Sequence, residues 1–78
     1  MNKYAKLKWH CRRGMRELDL LLEGFLDLRY DSLTNEEQET FARFLEEPNE
    51  HIVSWLLENT ESPDIRYKEL IRQIRSYR

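Results

Sequence analysis

Apolar residues in this chain recur with the period of a helix and nowhere with the period of a strand, which restricts the fold to packed helices. The clearest run extends from Met15 to about Tyr30. There Leu18, Leu21, Leu22, Phe25 and Leu28 define an inner face, while Asp19, Glu23 and Asp27 step along the opposite side. Gly24 inside this run points to close packing against another helix or to a local bend. Ahead of it, Tyr4, Leu7 and Cys11 form one narrow stripe on a helix expected from Asn2 to about Arg13. Gly14 interrupts that helix, because glycine in a helix interior costs about 1 kcal/mol relative to alanine.

Further along, Thr34 and Glu37 have the spacing of a capping box, so a third helix should start there with Phe41, Phe44 and Leu45 facing inward. Pro48 should end it, since the residue before a proline is driven out of helical geometry. Asn49 is expected to cap a fourth helix with Ile52, Val53, Leu56 and Leu57 inward and Trp55 alongside. Ser62-Pro63 reads as a capping serine before a first-turn proline, opening a fifth helix with Tyr67, Leu70, Ile71, Ile74 and Tyr77 on one face. The expectation is an all-α, small five-helix bundle forming a single domain over residues 1–78.

Length and composition narrow the function. A chain of 78 residues buries only about 60% of its unfolded surface, which leaves little room for a deep cleft. One cysteine, Cys11, cannot form an internal disulfide and is best read as a small apolar filler. The longest apolar stretch, Leu20-Leu21-Leu22, is far too short to span a bilayer, so no membrane insertion is expected. No apolar core follows the basic start, so neither a secretory signal nor a transit peptide is expected, and the cytoplasm is the expected location.

No catalytic or metal-binding group is expected. His10 and Cys11 diverge by about 100° on a helix, and His51 reads as a surface residue. Only three nitrogen or sulfur ligands exist, short of a zinc site. No glycine-rich loop follows a strand, so no phosphate cradle is indicated. The chain is therefore not expected to be an enzyme.

Charge is strongly segregated behind a net value of -2. Residues 1–16 carry six bases and no acid, residues 17–64 carry fourteen acids against Arg29 and Arg43, and residues 65–78 carry five bases against Glu69. The acidic middle would repel phosphates from most of so small a surface, which disfavours nucleic acid as a partner. Either solvated helix faces with self-pairing, or steering of a complementary partner, accounts for the pattern.

One segment exceeds what a bundle needs. Trp9 lies two positions from both Leu7 and Cys11, so it points off the inner stripe, either into a contact surface or back onto a neighbouring helix. Gly14 bares the backbone inside a basic cluster. Arg13 and Glu17 share a face if helical geometry continues through Gly14. Arg13 would then offer a planar fork to a partner's carboxylate or carbonyls, and Glu17 acceptors to a partner's bases.

Arg13-Gly14-Met15-Arg16-Glu17-Leu18-Asp19, preceded by Trp9 and Cys11, resembles the Arg-Gly-x-x-Glu signature of the succinate dehydrogenase flavin-assembly factors. The likeness continues through Tyr30-Asp31-Ser32-Leu33, the segment from Phe41 to Leu45, and Trp55-Leu56-Leu57, covering most of residues 4–75. Two features depart from it: Glu47-Pro48-Asn49-Glu50 stands where relatives often have an Asp-rich loop, and the tail stops soon after the fifth helix.

The resemblance implies a compact five-helix domain that binds the flavoprotein subunit of succinate dehydrogenase, and in some bacteria fumarate reductase, and promotes covalent attachment of FAD. It implies a partner-binding surface centred on Arg13, Gly14 and Glu17 and flanked by Lys6, Trp9, Arg12 and Asp19. FAD would be the partner's cofactor and not one held stably by this chain, which is expected to act as a monomer. The competing expectation is an antitoxin-like regulatory protein acting through a small membrane-protein partner.

Overall fold

The computed structural model describes residues 3–77. Five α-helices and one 3-10 turn follow in order: α1 (Lys3–His10), α2 (Arg16–Arg29), the turn Tyr30–Ser32, α3 (Asn35–Phe44), α4 (Asn49–Leu56) and α5 (Ile65–Ser76). No strand occurs among the described residues, in agreement with the all-α expectation.

A single cluster of buried side chains joins all five helices. Leu18, Leu22, Phe25 and Leu26 of α2 run through its centre, and α5 closes it from the side with Tyr67, Leu70, Ile71 and Ile74. Two aromatic groups lie within it. Phe25 meets Phe41 and Tyr77 at centroid separations of 5.4 and 5.6 Å. Phe44 meets Trp55 and Tyr67 at 5.8 and 5.3 Å. Each such contact contributes about 0.5–1.5 kcal/mol beyond the area it buries. Cys11 is fully buried, as the filler reading requires, and burial pushes its thiol up to about 12.

The capping box at α3 is present with both halves made: the Glu37 N–H donates to Thr34 Oγ1 at 3.1 Å, and the Thr34 N–H to Glu37 Oε1 at 2.8 Å. Four other expectations are corrected. The first helix ends at His10 and not near Arg13, and the Asn2 end of that expectation lies outside the described residues. Leu28 is 69% exposed because it falls at the edge of the inner face, and Leu26 takes the inner position.

Asn49 does not cap α4. Pro48 is the last non-helical residue, and Asn49 turns its side-chain carbonyl to Arg13. Ser62 does not cap α5 either: Asp64 holds that position and accepts from the Arg66 N–H at 2.9 Å. Ser62 sits two residues outside, buried, with its hydroxyl accepting from the Asp64 N–H at 3.1 Å.

The hydroxyl of Tyr77 lies over Gly24 and donates to the Leu21 carbonyl at 3.0 Å. Gly24 thus marks the close approach of the chain after α5 to α2, the first of the two roles its position suggested.

Candidate partner-binding surface

The junction between α1 and α2 is a turn and not a continued helix. The Cys11 N–H still reaches back to the Leu7 carbonyl at 3.0 Å, and the Arg12 N–H to Trp9 at 3.1 Å. Then the chain reverses through Gly14 at φ +78°. Only glycine adopts that left-handed geometry without a Cβ penalty, and no atom would meet a Cβ built there within 4 Å. Gly14 is therefore a conformational requirement in an open position, so an added side chain would strain the turn without colliding with the rest of the protein.

Asp19 holds this turn from inside. Its carboxylate accepts the Arg13 N–H at 2.7 Å and the Gly14 N–H at 3.2 Å. Two successive amides thus end on one carboxylate in the first turns of α2, where the helix's positive end also favours an acid. Asp19, expected on the rim of the partner surface, is half-buried and shapes that surface from behind.

Arg13 departs most from expectation. Because the helix breaks, Arg13 and Glu17 do not share a helical face. The Arg13 fork turns inward: Nε donates to the His10 carbonyl at 3.0 Å, and Nη1 to the Glu47 carbonyl at 3.1 Å and to Asn49 Oδ1 at 3.2 Å. Burial draws its guanidinium below the usual arginine range, with Cys11 and Asp19 opposing. Its Nη2 is buried with no hydrogen-bond partner among the described residues. Arg13 therefore ties the junction to the α3–α4 loop. The Glu47-Pro48-Asn49-Glu50 segment, which departs from the family pattern, supplies two of its acceptors. Proximity across 34 and 36 residues left no local pattern by which sequence could have found this contact.

The outward groups are Lys6, Trp9, Arg12, Gly14 and Glu17, all exposed. Trp9 at 65% exposure does not wrap onto a neighbour. Its indole separates two shallow depressions of about 450 and 370 Å³, both also bordered by Arg12. Glu17 makes no hydrogen bond or ion pair among the described residues. Behind them α1 is fastened to α2 by Asp27, which accepts from the Tyr4 hydroxyl and from Lys8 Nζ at 2.7 Å. The Lys8 and Tyr4 hydrogen bonds pull the Asp27 carboxyl below its ordinary value, and Asp27 in turn holds the Lys8 ammonium above its own. Tyr4, placed on the inner stripe by its spacing, is partly exposed because this polar clasp keeps it at the rim.

No cluster of three or more histidine, cysteine or acidic side chains suited to a metal ion occurs among the described residues. No helix there is long and apolar enough to cross a membrane.

Comparison with known proteins agrees with the signature at this junction. The family model described as flavinator of succinate dehydrogenase matches residues 5–78. The FAD assembly factor SdhE of Coxiella burnetii is 42% identical over 69 residues, covering 88% of this chain and 84% of that protein. The FAD assembly factor SdhE of Yersinia pseudotuberculosis is 38% identical over 72 residues, covering 92% and 82%. That of Haemophilus ducreyi is 33% identical over 76 residues, covering 97% and 92%. With its signature on an exposed, internally braced turn and its likeness extending over nearly its whole length, the chain belongs to the succinate dehydrogenase flavinator family.

Proposed function

We propose that this protein is an assembly factor that binds the flavoprotein subunit of succinate dehydrogenase, and of fumarate reductase where that enzyme is present, and promotes covalent attachment of FAD. The observation that carries this reading is the exposed face at the α1–α2 junction. Trp9, Arg12 and Glu17 stand outward around a bare Gly14 backbone that Asp19 and Arg13 hold in place from within. A large aromatic and arginine at the centre of a braced, solvent-open patch is the composition that anchors protein partners. The names of the family and of the relatives favour this role over an antitoxin-like regulator.

The factor then acts by selective binding and not by chemistry of its own. The flavin bond forms among the client's residues, and the factor stabilises the client conformation in which the flavin and the attachment residue meet. It shifts that equilibrium only by the difference between its affinities for the competent and other conformations. Arg13 serves by shaping the patch, whereas Lys6, Trp9, Arg12, Gly14 and Glu17 make the contacts. FAD belongs to the client, and the factor works as a monomer in the cytoplasm.

The test is reconstitution of apo-flavoprotein subunit with FAD and the factor, read as flavin fluorescence of the denatured subunit band. Gly14→Arg should abolish the stimulation. Gly14→Asn, whose side chain tolerates the left-handed region, should lose less. Circular dichroism should show both variants folded, because no neighbour obstructs the position. Full stimulation by Gly14→Arg refutes the assignment. An independent check is deletion of the gene, after which the fluorescent band at the flavoprotein's mass should vanish from denatured total protein.

A further inference from the structure

A second surface lies beyond the far end of α4. α4 runs from Asn49, which touches Arg13, to Leu56, a rise of about 12 Å. Past it the chain turns at Asn59, a non-glycine residue at φ 60°, and the Thr60 N–H closes the helix by reaching the Ser54 carbonyl at 2.9 Å. The loop so fixed forms one wall of a groove of about 380 Å³, whose other wall is α5. Trp55 and Ile71, both nearly buried, form its apolar floor.

Three cations line the α5 side: Lys68, Arg72 and Arg75, at helical spacing i, i+4 and i+7. They stand in one row about 10 Å long. Glu61 is the one acid among the lining residues. Arg72 is held by Glu69 at 2.6 Å, in a pair open to solvent. Lys68 and Arg75 make no ion pair among the described residues. With Arg66, the 12-residue helix carries four cations against Glu69, and only Arg75 stands where the helix's negative end favours a cation, so the row leaves an excess of positive charge on this wall.

We propose that this groove is a second docking site, and that its occupant is an extended, acidic segment of a polypeptide partner. The shape and the charge lead there together. An extended chain advances about 3.3 Å per residue, so three or four residues span the row. Acids on alternate residues would face the cations, and the side chains between them would face the opposite wall, the loop from Asn59 to Ser62. The Glu69–Arg72 pair acts as an internal competitor that the peptide must displace. The site is separate from the α1–α2 junction and does not depend on its role.

The probe is a fluorescein-labelled peptide of alternating glutamate and leucine, titrated against the full chain at about 50 mM salt, where charges across a groove are weakly screened. Fluorescence anisotropy should show binding. Lys68→Glu with Arg75→Glu should weaken it roughly tenfold or more, as loss of two facing charge pairs implies. Glu69→Gln should tighten it roughly two- to fivefold by freeing Arg72, an effect that removal of a merely structural pair would not produce. Amide chemical shifts should move at Thr60, Lys68 and Arg75.

Lys3→Glu, on α1, separates a local site from general attraction. Equal weakening by Lys3→Glu overturns the proposal, as does equal affinity for a single-stranded oligonucleotide. Absence of peptide binding overturns it too, as does a dimer of the free chain that buries this groove.

Discussion

The contact between Tyr77 and Gly24 makes a prediction whose sign, and not only its size, depends on the structure. On an exposed helix Gly24→Ala would stabilise the protein by about 1 kcal/mol, the propensity difference between the two residues. Here the new methyl would occupy the space of the Tyr77 hydroxyl, with the ring carbon behind it at 3.3 Å. The ring must swing aside to clear the hydroxyl. It loses its hydrogen bond to the Leu21 carbonyl, about 1 kcal/mol, and much of its edge contact with Phe25, about 0.5–1 kcal/mol more. Adding the strain of moving the chain end that follows α5, the net effect should be destabilisation by about 1 kcal/mol. In a Tyr77→Ala background the obstruction is gone, and the same substitution should stabilise by about 1 kcal/mol. The coupling between the two positions is thus about 2 kcal/mol, well above what urea denaturation followed by circular dichroism resolves. For a chain this short each kcal/mol also shifts Tm by about 4–8 °C. If Gly24→Ala stabilises both backgrounds equally, Tyr77 does not cover α2 and the packing argument fails.

Three further outcomes follow from the polar contacts. Asp19→Ala should cost about 1–2 kcal/mol, because two amides lose a half-buried carboxylate, and Asp19→Asn should cost less by keeping one acceptor; chemical denaturation measures both. Asp19→Ala should also lower client flavinylation although every outward side chain is retained. The Lys8–Asp27 tie between α1 and α2 is largely exposed, so Asp27→Asn should cost less than about 1 kcal/mol near neutral pH. The Asp27 carboxyl is depressed on folding, so its contribution is present above the ordinary carboxylate range and lost as pH falls through the folded value. The Lys8 ammonium is raised, so its share is present below the ordinary lysine range and lost as pH rises through the folded value. Thermal melts of the wild type and Asp27→Asn should therefore differ at neutral pH and converge in strong acid. Finally, Cys11, fully buried with its thiol pushed up to about 12, should resist alkylation in the native state. It should react at the rate of unfolding as urea is added, and rapid labelling of the folded protein would contradict its position.

The features read correctly from sequence are those whose cause is local. The Thr34–Glu37 capping box lies within three residues, and the inner faces of α3 and α5 repeat every three or four, so period alone located them. The misread features are those in which two valid local signals competed, or a distant group decided. At the start of α5, Ser62 and Asp64 are both good caps; Asp64 takes the position and leaves Ser62 to accept its N–H from two residues outside. At α4, Asn49 is a good cap on composition, but an arginine 36 residues earlier claims its side chain. Leu28 satisfies the period of α2 and still points to solvent, because at about 100° per residue it falls at the edge of the face that Leu18, Leu22, Phe25 and Leu26 bury.

The same division runs through the candidate surface. Trp9 was legible as off the inner stripe because two neighbours fixed it, though its exposure was decided only by the absence of a helix to receive it, and Gly14 was legible as a break because glycine is costly in a helix. The inward turn of Arg13 was not legible, since two of its acceptors, on Glu47 and Asn49, lie 34 and 36 residues away. That contact changes what the signature means physically. Its arginine and the aspartate two positions beyond its glutamate build the turn, while the glycine and the glutamate face outward. Loss of function at the first pair should therefore come with loss of stability, and at Glu17 without it. Arg13→Ala and Glu17→Ala should accordingly both impair client flavinylation, but only Arg13→Ala should lower stability, by the about 1.5–3 kcal/mol expected when part-buried carbonyl acceptors lose a charged donor, and with it the melting temperature. Equal melting temperatures for the two variants would mean that Arg13 braces nothing, and that the fork is free for a partner after all.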